Sequence, residues 1–316
     1  MSLAIGVDIG GTKVAAGLVT ADGQVLATAR RPTPMADADA VLALVADVVG
    51  ELVEGAAEPV VGVGVGVAGA VDAERAHVYF APNLRWSGVD ARVILEQATG
   101  LPVVIENDGN VAAWGEFRFG AGVGARDLVL VTVGTGIGGG IVLGGSLFRG
   151  AHGAGGEIGH ISSVPDGVQC GCGRLGCWEQ YASGNALVRQ TRELAAQRRE
   201  DATLLLMKGD GTPEGIQGVH ITAAAMAGDP VAVEALHRLG VELGTGLADL
   251  SAILDPDLFV IGGGVCEAGD LLLASARETL ARKIIGGRNR PVPAVVTATL
   301  GNQAGTVGAA DLARLR

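Results

Sequence analysis

The amino-acid sequence predicts an α/β protein in which one structural unit occurs twice. A short apolar strand, a glycine turn and a return strand span Leu3–Thr20, and the same order recurs at Asp127–Leu143. Hydrophobic residues are 48% of the 316 residues and charged residues 18%, which is enough for sizeable cores and argues against disorder. A duplicated unit with a phosphate-sized glycine turn in each copy indicates a nucleotide held in a cleft between two lobes.

The first half is predicted to begin with a β-meander and to continue with helices and strands. Apolar residues spaced three and four apart predict the first helix, and runs of valine and isoleucine bounded by turn residues predict the strands. In order, the predicted elements are the strands Leu3–Ile9, Val14–Thr20 and Gln24–Ala29, the helix Asp37–Glu54, the strand Val60–Val67, the helix Val89–Thr99, the strand Pro102–Ile105 and the helix Asn110–Phe117.

The second half repeats the strand, turn and strand order before it becomes mainly helical. The stretch Thr203–Gln217 is polar and rich in turn residues, so no element is predicted there. In order, the predicted elements are the strands Asp127–Val133, Gly138–Leu143 and Leu147–Arg149, the helices Glu179–Ala195, Thr222–Ala227 and Pro230–Leu254, the strand Asp257–Ile261, the helix Leu271–Ile284, the strand Ala294–Thr299 and the helix Ala304–Leu315.

Charge and cysteine use exclude several classes of function. The net charge is −11 without any block of Lys or Arg, so nucleic acid and anionic membranes are poor partners. The start has no basic signal-peptide segment, and the four cysteines are too clustered for a disulfide framework, so we expect a reduced, cytoplasmic protein. The uncharged stretch Leu128–Phe148 is long enough to span a bilayer, but its glycines favour a buried hairpin.

Three glycine-rich turns are the candidate nucleotide site. Glycine N–H groups can approach phosphate oxygens closely, Thr12 and Lys13 add a hydroxyl and a charge, and Asp8 is placed to hold magnesium through water. An ordinary glycine hairpin is the alternative for the first turn, and none of the turns is a Walker loop. The predicted nucleotide-binding residues are Asp8, Gly10, Gly11, Thr12, Lys13, Gly134, Thr135, Gly136, Gly138, Gly262, Gly263 and Gly264.

A cysteine cluster is the candidate metal site. Cys170, Cys172 and Cys177 lie within eight residues, and His160 precedes them by ten. Thiolates at this density with an imidazole are the donor set of tetrahedral zinc, while three buried thiols and a core histidine are the alternative. Cys266 lies outside the cluster and is interpreted as an apolar core residue.

Carboxylates near these motifs are the candidate chemical groups. Asp108 follows a buried strand and precedes a helix, where it is placed either as a general base facing a cleft or as a helix N-cap. Glu157 and Glu179 bracket the cysteine cluster, and such acids either accept bonds from adjacent sugar hydroxyls or are merely solvated.

These segments resemble the ROK family of sugar kinases and repressors, within the actin–hexokinase–Hsp70 superfamily. Asp8–Lys13 (DIGGTK) is similar to its first phosphate loop, Val133–Gly140 (VGTGIGGG) to the second and Ile261–Gly264 (IGGG) to its adenosine segment. EIGH at Glu157–His160 with CGCGRLGCWE at Cys170–Glu179 is similar to the family's zinc signature. The segments YFAPNLRW, ENDGNVAAWGE, CWEQYASG and LGNQAGTVGAADLA resemble the actinobacterial-type glucokinases of the family.

The resemblance implies ATP-dependent phosphorylation of the 6-hydroxyl of D-glucose, with Mg²⁺ and a structural Zn²⁺. It implies a two-domain actin-like, ribonuclease H-like fold of the hexokinase type with a cleft, divided into a small domain, 1–115 plus 303–316, and a large domain, 116–302, that carries the zinc loop. Asp108 is the implied base, and a homo-oligomer, either dimer or tetramer, is the implied assembly. The implied sugar contacts are Gly69, Asn83, Asn107, Asp108, Glu157, His160 and Glu179, and His160 is also a zinc ligand.

One residue departs from the family's pattern, and three other functions compete. Gly109 stands where alanine is common, which we expect to loosen the helix start by at most about 1 kcal/mol.

A kinase of fructose, mannose or an N-acetylhexosamine needs only a few changed contacts. Polyphosphate is an alternative donor, although no basic track for a polyanion is evident. A ROK repressor would carry a helix-turn-helix before the first phosphate loop and a basic surface for DNA. Here the first predicted strand already starts at Leu3, and the net charge is acidic.

Overall fold

The computed structural model describes residues 2–34 and 37–315. The chain divides into two compact units, the first formed by Met1–Leu130, Gly139–Gly156 and Ala298–Arg316 and the second by Val131–Gly138 and Glu157–Thr297. The α/β class predicted from the sequence is confirmed by the mixture of strands and helices in both units. The domain edges expected at residues 115 and 302 stay a prediction.

The strands and helices follow the predicted order closely, with additions noted below. The strands are β1 (Leu3–Ile9), β2 (Lys13–Val19), β3 (Val25–Pro32), β4 (Val60–Val67), β5 (Ala70–Val71), β6 (Val78–Ala81), β7 (Trp86–Val89), β8 (Val103–Asn107), β9 (Leu128–Val133), β10 (Ile137–Leu143), β11 (Ser146–Phe148), β12 (Leu258–Gly262) and β13 (Ala294–Thr297). The α-helices are α1 (Ala38–Glu54), α2 (Ala91–Thr99), α3 (Asp108–Phe119), α4 (Glu179–Ala182), α5 (Gly184–Gln197), α6 (Thr203–Lys208), α7 (Gly218–Met226), α8 (Pro230–Leu254), α9 (Asp270–Lys283) and α10 (Ala304–Arg314).

The sheet of the first unit places the ends of three parallel strands side by side. Its order is β3-β2-β1-β4-β8, with β1 antiparallel to β2 and parallel to β4, and with β4 parallel to β8. In this register Asp8 pairs with Gly66, and Gly66 pairs with Glu106. The carboxyl ends of β1, β4 and β8 therefore reach the same edge, where open α/β sheets bind ligands.

Helix α1 covers one face of this sheet with the apolar stripe seen in the sequence. Its N-cap Asp37 accepts a hydrogen bond from the backbone N–H of Ala40 at 3.1 Å, which satisfies one free donor of the first turn. Its buried residues are Val41, Leu42, Val45, Val48, Val49 and Leu52, close to the set that the periodicity predicts. The spacing of three and four residues thus fixes which face of α1 is buried.

Helix α10 packs against the first sheet at backbone distance. A methyl group on Gly6 or Gly64 would overlap the backbone of α10, and a methyl group on Gly308 would overlap the backbone of α3. Such close approach is open only to glycine. Several of the 52 glycines are thus required for close packing of helices and strands. The sequence alone indicated only turns and ligand loops for the glycines.

The second five-stranded sheet has the order β11-β10-β9-β12-β13. The uncharged stretch Leu128–Phe148 forms β9, β10 and β11, which confirms the predicted strand pair. Among residues 2–34 and 37–315, no helix combines the length and the apolar character that crossing a membrane requires.

The long helix α8 is the main helical support of the second unit. It runs from Pro230 to Leu254, as predicted, and its buried N-cap Asp229 accepts hydrogen bonds from the N–H groups of Val231 and Ala232 at 3.0 Å. Trp178 is fully buried, and its indole N–H donates to the carbonyl of Glu242 at 3.0 Å. A methyl group on Gly246 would overlap the indole ring, so the ring lies flat against α8 at a glycine.

Three predictions on the elements were wrong. The helix expected over Glu179–Ala195 is two helices, because Ser183 is extended and its hydroxyl caps α5 by accepting from the N–H of Ala186 at 3.2 Å. The turn-rich stretch after Thr203 contains α6, whose Leu205 and Leu206 are buried. The short sheet β5-β6-β7 was not predicted, and it takes Val89 from the start of the next helix, which begins at Ala91.

Candidate active site

The first turn lies at the end of β1 in the first unit. The N–H of Gly10 donates to the carbonyl of Lys13 at 2.9 Å, and the hydroxyl of Thr33 donates to the carbonyl of Gly10 at 2.6 Å. These bonds close a tight turn over Gly10–Thr12. The turn contacts a predicted sugar residue, because a methyl group on Gly11 would lie 3.3 Å from the Cβ of Asn83.

Asp8 is the acidic group beside this turn. Burial raises the pKa of Asp8 above its ordinary value of 3.8, and the positive charge of Lys13 opposes that rise. Helix α10 lies close by, since a methyl group on Gly305 would be 3.3 Å from the Asp8 carboxyl. Oxygen donors of this kind are what Mg²⁺ takes from proteins, so the residue fits the predicted magnesium role.

Asn107 and Asp108 form the start of α3 at the end of β8. The side chain of Asn107 is the N-cap, because it accepts a hydrogen bond from the N–H of Asn110 at 3.1 Å. Asp108 is therefore not the cap that one interpretation of the sequence assigned to it. It is the first helical residue, it is exposed, and its carboxylate accepts from the N–H of Gly109 at 2.9 Å.

Gly109 has a packing role that the sequence did not reveal. A methyl group at this position would overlap the carbonyl oxygen of Gly139. Alanine, the residue expected here, would therefore push β10 away from the start of α3. Glycine at this position thus allows close packing beside Asp108, and its expected effect on the helix start stays a prediction.

The predicted sugar residues of the first unit form two groups, one at this helix start and one at the first glycine turn. The side-chain amide of Asn107 donates to the carbonyl of Gly69 at 3.1 Å. Gly69 itself packs on β6, since a methyl group there would lie 2.5 Å from the carbonyl oxygen of Phe80. The structure thus brings together Gly69, Asn107 and Asp108 on one side and Asn83 with Gly11 on the other.

The cysteine cluster of the second unit is a compact set of metal donors. One ligand atom from each of His160, Cys170, Cys172 and Cys177 lies within 4.8 Å of all the others. The sulfurs of Cys172 and Cys177 are 3.6 Å apart, and Cys170 Sγ is 3.7 Å from His160 Nδ1. A zinc tetrahedron with Zn–S bonds of about 2.3 Å has edges of about 3.8 Å, so the donor set fits zinc. All four cysteines of the chain are unpaired thiols.

Cys170 also contacts one of the acids that bracket the cluster. Burial raises the pKa of the Cys170 thiol to about 12, and a hydrogen bond to Glu179 adds to the rise. At neutral pH the thiol donates to Glu179 Oε1 at 2.9 Å. Only a nearby cation would make the thiolate the favoured form.

The two acids that bracket the cluster face its histidine. His160 Nδ1 is 3.9 Å from Glu179 Oε1, and His160 Nε2 is 4.0 Å from Glu157 Oε2. The ring thus turns one nitrogen toward the thiols and the other toward Glu157. Glu179 is also in contact with the second glycine turn, because a methyl group on Gly136 would lie 2.5 Å from its Oε2.

A pocket in the second unit gathers the second and third glycine turns. Its cavity volume is about 340 Å³, and Gly134, Thr135 and Gly264 are part of its lining. Gly263 has φ 91° and packs on the backbone of Val133, so its conformation and its packing both require glycine. Gly262 ends β12. Sequence reasoning missed the residues that complete the wall, namely Asn185, Val188, Val219, Thr222, Val265 and Glu267.

Most of the missed pocket residues come from the starts of α5 and α7, whereas Val265 and Glu267 follow the third glycine turn. Gly184 and Gly218 begin α5 and α7, and both line the cavity. The N–H of Gly184 donates to the carbonyl of Gly134 at 2.8 Å, which ties the second turn to α5. The Ser183–Gly184 pair, a capping residue followed by glycine, was the one local signal that could have located this wall.

Known proteins resemble this chain over its whole length. The profile described as "ROK family" matches residues 4–316. The glucokinase of Streptomyces coelicolor is 51% identical over 99% of this chain and 98% of its own. The crystal structure of a ROK family glucokinase from Streptomyces griseus, in complex with glucose and AMPPNP, is 50% identical, covers 100% of both chains and has a TM-score of 0.88.

A more distant structure supports the same fold. The ROK hexokinase from Thermus thermophilus is 35% identical, covers 99% of this chain and 98% of its own, and has a TM-score of 0.82. Together these matches confirm the predicted fold class, the two-domain actin-like α/β fold of sugar kinases.

Proposed function

The chain belongs to the ROK family, and on that premise we propose that it is a glucokinase, which transfers the γ-phosphoryl group of ATP to the 6-hydroxyl of D-glucose. The observation that carries this proposal is the likeness to the Streptomyces griseus glucokinase with glucose and AMPPNP, at 50% identity over the full length of both chains. The resemblance stated in the sequence analysis implied the same reaction.

Asp108 is the proposed general base. Its carboxylate is exposed at the first residue of α3, held by Asn107 as the cap, so it can accept the proton of the sugar 6-hydroxyl. Phosphoryl transfer leaves little covalent work to the protein, so orientation of this group matters as much as its basicity. A positioned base contributes about 10²–10⁴-fold to the rate.

The remaining sugar contacts are proposed from both units. Gly69, Asn83 and Asn107 come from the first unit, and Glu157, His160 and Glu179 come from the second. Carboxylates and amides that pair with several hydroxyls discriminate against analogues that lack one, because a buried partner is then left unsatisfied. The contact between Glu179 and Gly136 supports a sugar acid that lies beside the phosphate turn.

The nucleotide is proposed to use the three glycine turns. The turn Gly10–Lys13 and the turn Gly134–Gly138 supply backbone N–H groups to the phosphates, and the pocket at Gly264 is of a size for adenosine. Mg²⁺, when bound, neutralises charge on the phosphates, and Asp8 would hold it through water.

Zinc is proposed as a structural ion. His160, Cys170, Cys172 and Cys177 would hold it, and a site with four protein donors is closed and supplies no Lewis acid to the reaction. What the ion supplies when bound is a fixed loop. His160 and Glu179 then keep their orientation toward the sugar, as outer groups around a metal commonly do.

A sugar and donor panel tests the proposed function. We expect phosphorylation of glucose with ATP and Mg²⁺ to exceed that of fructose, mannose and N-acetylhexosamines, and ATP to exceed polyphosphate. A higher kcat/KM for another hexose would identify the alternative kinase, and turnover with polyphosphate alone would remove ATP as the required donor. Sugar-dependent DNA binding without turnover would identify a regulator.

The setting of the reaction is also a proposal. Four unpaired cysteines fit a reducing compartment, and we assign the protein to the cytoplasm. The implied dimer or tetramer is checked by light scattering during size-exclusion chromatography.

A further inference from the structure

A buried acid lies two residues before the proposed base. Glu106 is 1% exposed at the end of β8, and its Oε1 accepts hydrogen bonds from the backbone N–H of Asn107 at 2.9 Å and from the side-chain amide of Asn110 at 3.0 Å. One carboxylate oxygen thus holds two residues that flank Asp108.

The other oxygen of Glu106 faces two guanidinium groups. Its Oε2 lies 3.1 Å from Arg75 Nε and 2.6 Å from Arg149 Nε. The N–H groups do not point along these contacts, so they are ion pairs and not aligned hydrogen bonds. Two cations from distant parts of the chain therefore converge on one buried anion.

Arg149 extends this cluster to the segment that leads into Glu157. Its two terminal nitrogens donate to the carbonyls of Ala73 and Asp72, each at 2.7 Å. Gly153, four residues later, packs on the backbone of Asp72, where a methyl group would overlap it. The cluster thus holds segment 150–156, and the chain continues from there to Glu157.

Arg75 occupies a position that favours glycine. Its φ is 57°, and its carbonyl accepts from the N–H of Ile105 at 2.9 Å and from Arg92 at 2.8 Å. Left-handed backbone is unfavourable for a residue with a Cβ, so glycine would fit with less strain. We therefore attribute the arginine at this position to its guanidinium group, which lies beside Glu106, and not to its backbone conformation.

We propose that Glu106 is a positioning residue for phosphoryl transfer: with Arg75 and Arg149 it fixes the start of α3, and hence Asp108 and Asn107, and the approach of the chain to Glu157. The inference rests on the proposed role of Asp108. An uncompensated charge in a buried site is costly, and an ion cluster of this kind specifies geometry better than it adds stability. A displacement of about 1 Å at a reacting group can cost about 10²-fold in rate.

The test compares Glu106→Gln, Arg75→Gly and Arg149→Lys with the wild type and Asp108→Asn. Glutamine keeps the length and an acceptor oxygen but removes the charge, and glycine at position 75 relieves the backbone while it removes the guanidinium. Arg85→Gly is the matched control, because Arg85 has the same φ of 57° and its side chain is exposed. Rates are measured well below the melting temperature of each variant.

We expect Glu106→Gln and Arg75→Gly to lower kcat by about 10- to 100-fold. The KM for glucose should rise several-fold, and the KM for ATP should change by less than about twofold. Arg149→Lys keeps the charge but loses the fork that bonds to the carbonyls of Asp72 and Ala73, so it should lower kcat as well. Arg85→Gly should keep the wild-type kcat. If Glu106→Gln does not fold, Arg75→Gly alone carries the test.

Two results would overturn the inference and are distinguishable. An active wild type and an inactive Asp108→Asn, with Glu106→Gln and Arg75→Gly at wild-type kcat and lower melting temperatures only, would make the cluster purely structural and leave the proposed function intact. A wild type without glucose phosphorylation would overturn the proposed function and, with it, this inference.

Discussion

At the scale of single residues, two carboxylates of the first unit, Asp108 and Asp8, differ in their exposure to solvent. Asp108 is exposed at the start of a helix, whereas Asp8 is partly buried beside a glycine turn. Exposure leaves Asp108 open to a substrate proton. Burial makes the charge on Asp8 unfavourable until a cation compensates it. The two acids are therefore expected to respond differently to substitution.

Asp108→Asn should lower kcat by about 10²–10⁴-fold, because an amide cannot accept the proton of the sugar hydroxyl. The helix start should be unchanged, since Asn107 remains the cap. Glucose affinity, measured by calorimetry, should stay within a few-fold of the wild type. Wild-type turnover in this variant would remove Asp108 from the mechanism.

Asp8→Asn should stabilise the ligand-free protein at neutral pH. The folded-state pKa of Asp8 is raised by burial, so its contribution to stability is fully present below its ordinary value of 3.8 and is lost as pH rises through the folded-state pKa. The variant lacks that loss. In thermal melts from pH 4 to 8, the melting temperature of the variant should exceed that of the wild type by an increasing margin as the pH rises. The stabilisation by Mg²⁺ and nucleotide should be smaller in the variant than in the wild type. A lower melting temperature than wild type at pH 8 would contradict this assignment.

At the scale of elements, Trp178 connects the cysteine cluster to α8. It stands between Cys177 and Glu179 in the sequence, and its ring lies on Gly246. The ring therefore fixes where Cys177, a proposed zinc ligand, and Glu179, a proposed sugar contact, emerge from the core. The proposed coupling of metal and sugar depends on this contact as well as on the donors themselves.

Gly246→Ala should destabilise the protein by about 1–3 kcal/mol, because the added methyl group displaces a fully buried indole. The KM for glucose should rise with it. Gly50→Ala is the matched control, since Gly50 is an exposed residue of α1 with no atom within 4 Å of the added methyl group. Its melting temperature should rise slightly, by the helix preference of alanine. Equal melting temperatures for the two variants would show that the indole can move freely.

Element prediction succeeded where one local signal acted alone. The apolar stripe of α1, the strand β4 and the helix α8 follow directly from periodicity and turn residues. It failed where a tertiary contact decided the outcome. Ser183 breaks a helical pattern because the N–H of Gly184 bonds to the second glycine turn, and that partner is invisible in the local sequence.

The same limit applies to the candidate site. The cysteine cluster, Asp108 and the first glycine turn were found because each is a dense local motif. Glu106 was not, because a glutamate at the end of a valine-rich strand carries no sign that two distant arginines reach it. The pocket wall at Asn185 and Thr222 was missed for the same reason, since two helix starts form it.

At the scale of the whole molecule, the proposed zinc cluster and the pocket proposed for the nucleotide are both in the second unit but use different residues. Cys172→Ser should therefore release zinc and weaken glucose binding while nucleotide binding persists. A saturating ligand at 100 times its Kd stabilises by about 2.7 kcal/mol. Thermal shifts with glucose should fall in the variant, and shifts with AMPPNP should stay.

Metal analysis of the purified wild type is the control for that comparison. We expect about one zinc per chain, as a site of four protein donors binds one ion. A native protein without zinc, or a variant that keeps its full glucose shift, would separate the metal from the sugar site.

The backbone packing of α10 against β1 and β4 has a consequence for synthesis on the ribosome. Because β1 and β4 precede α10 in the sequence, their bare positions at Gly6 and Gly64 stay without the covering helix until residues 304–314 have been translated. Every residue of the second unit precedes that helix in the sequence, so the second unit is fully synthesised before the sheet of the first unit receives its last helix. Strands β1 and β4 are thus completed only after the second unit has been made.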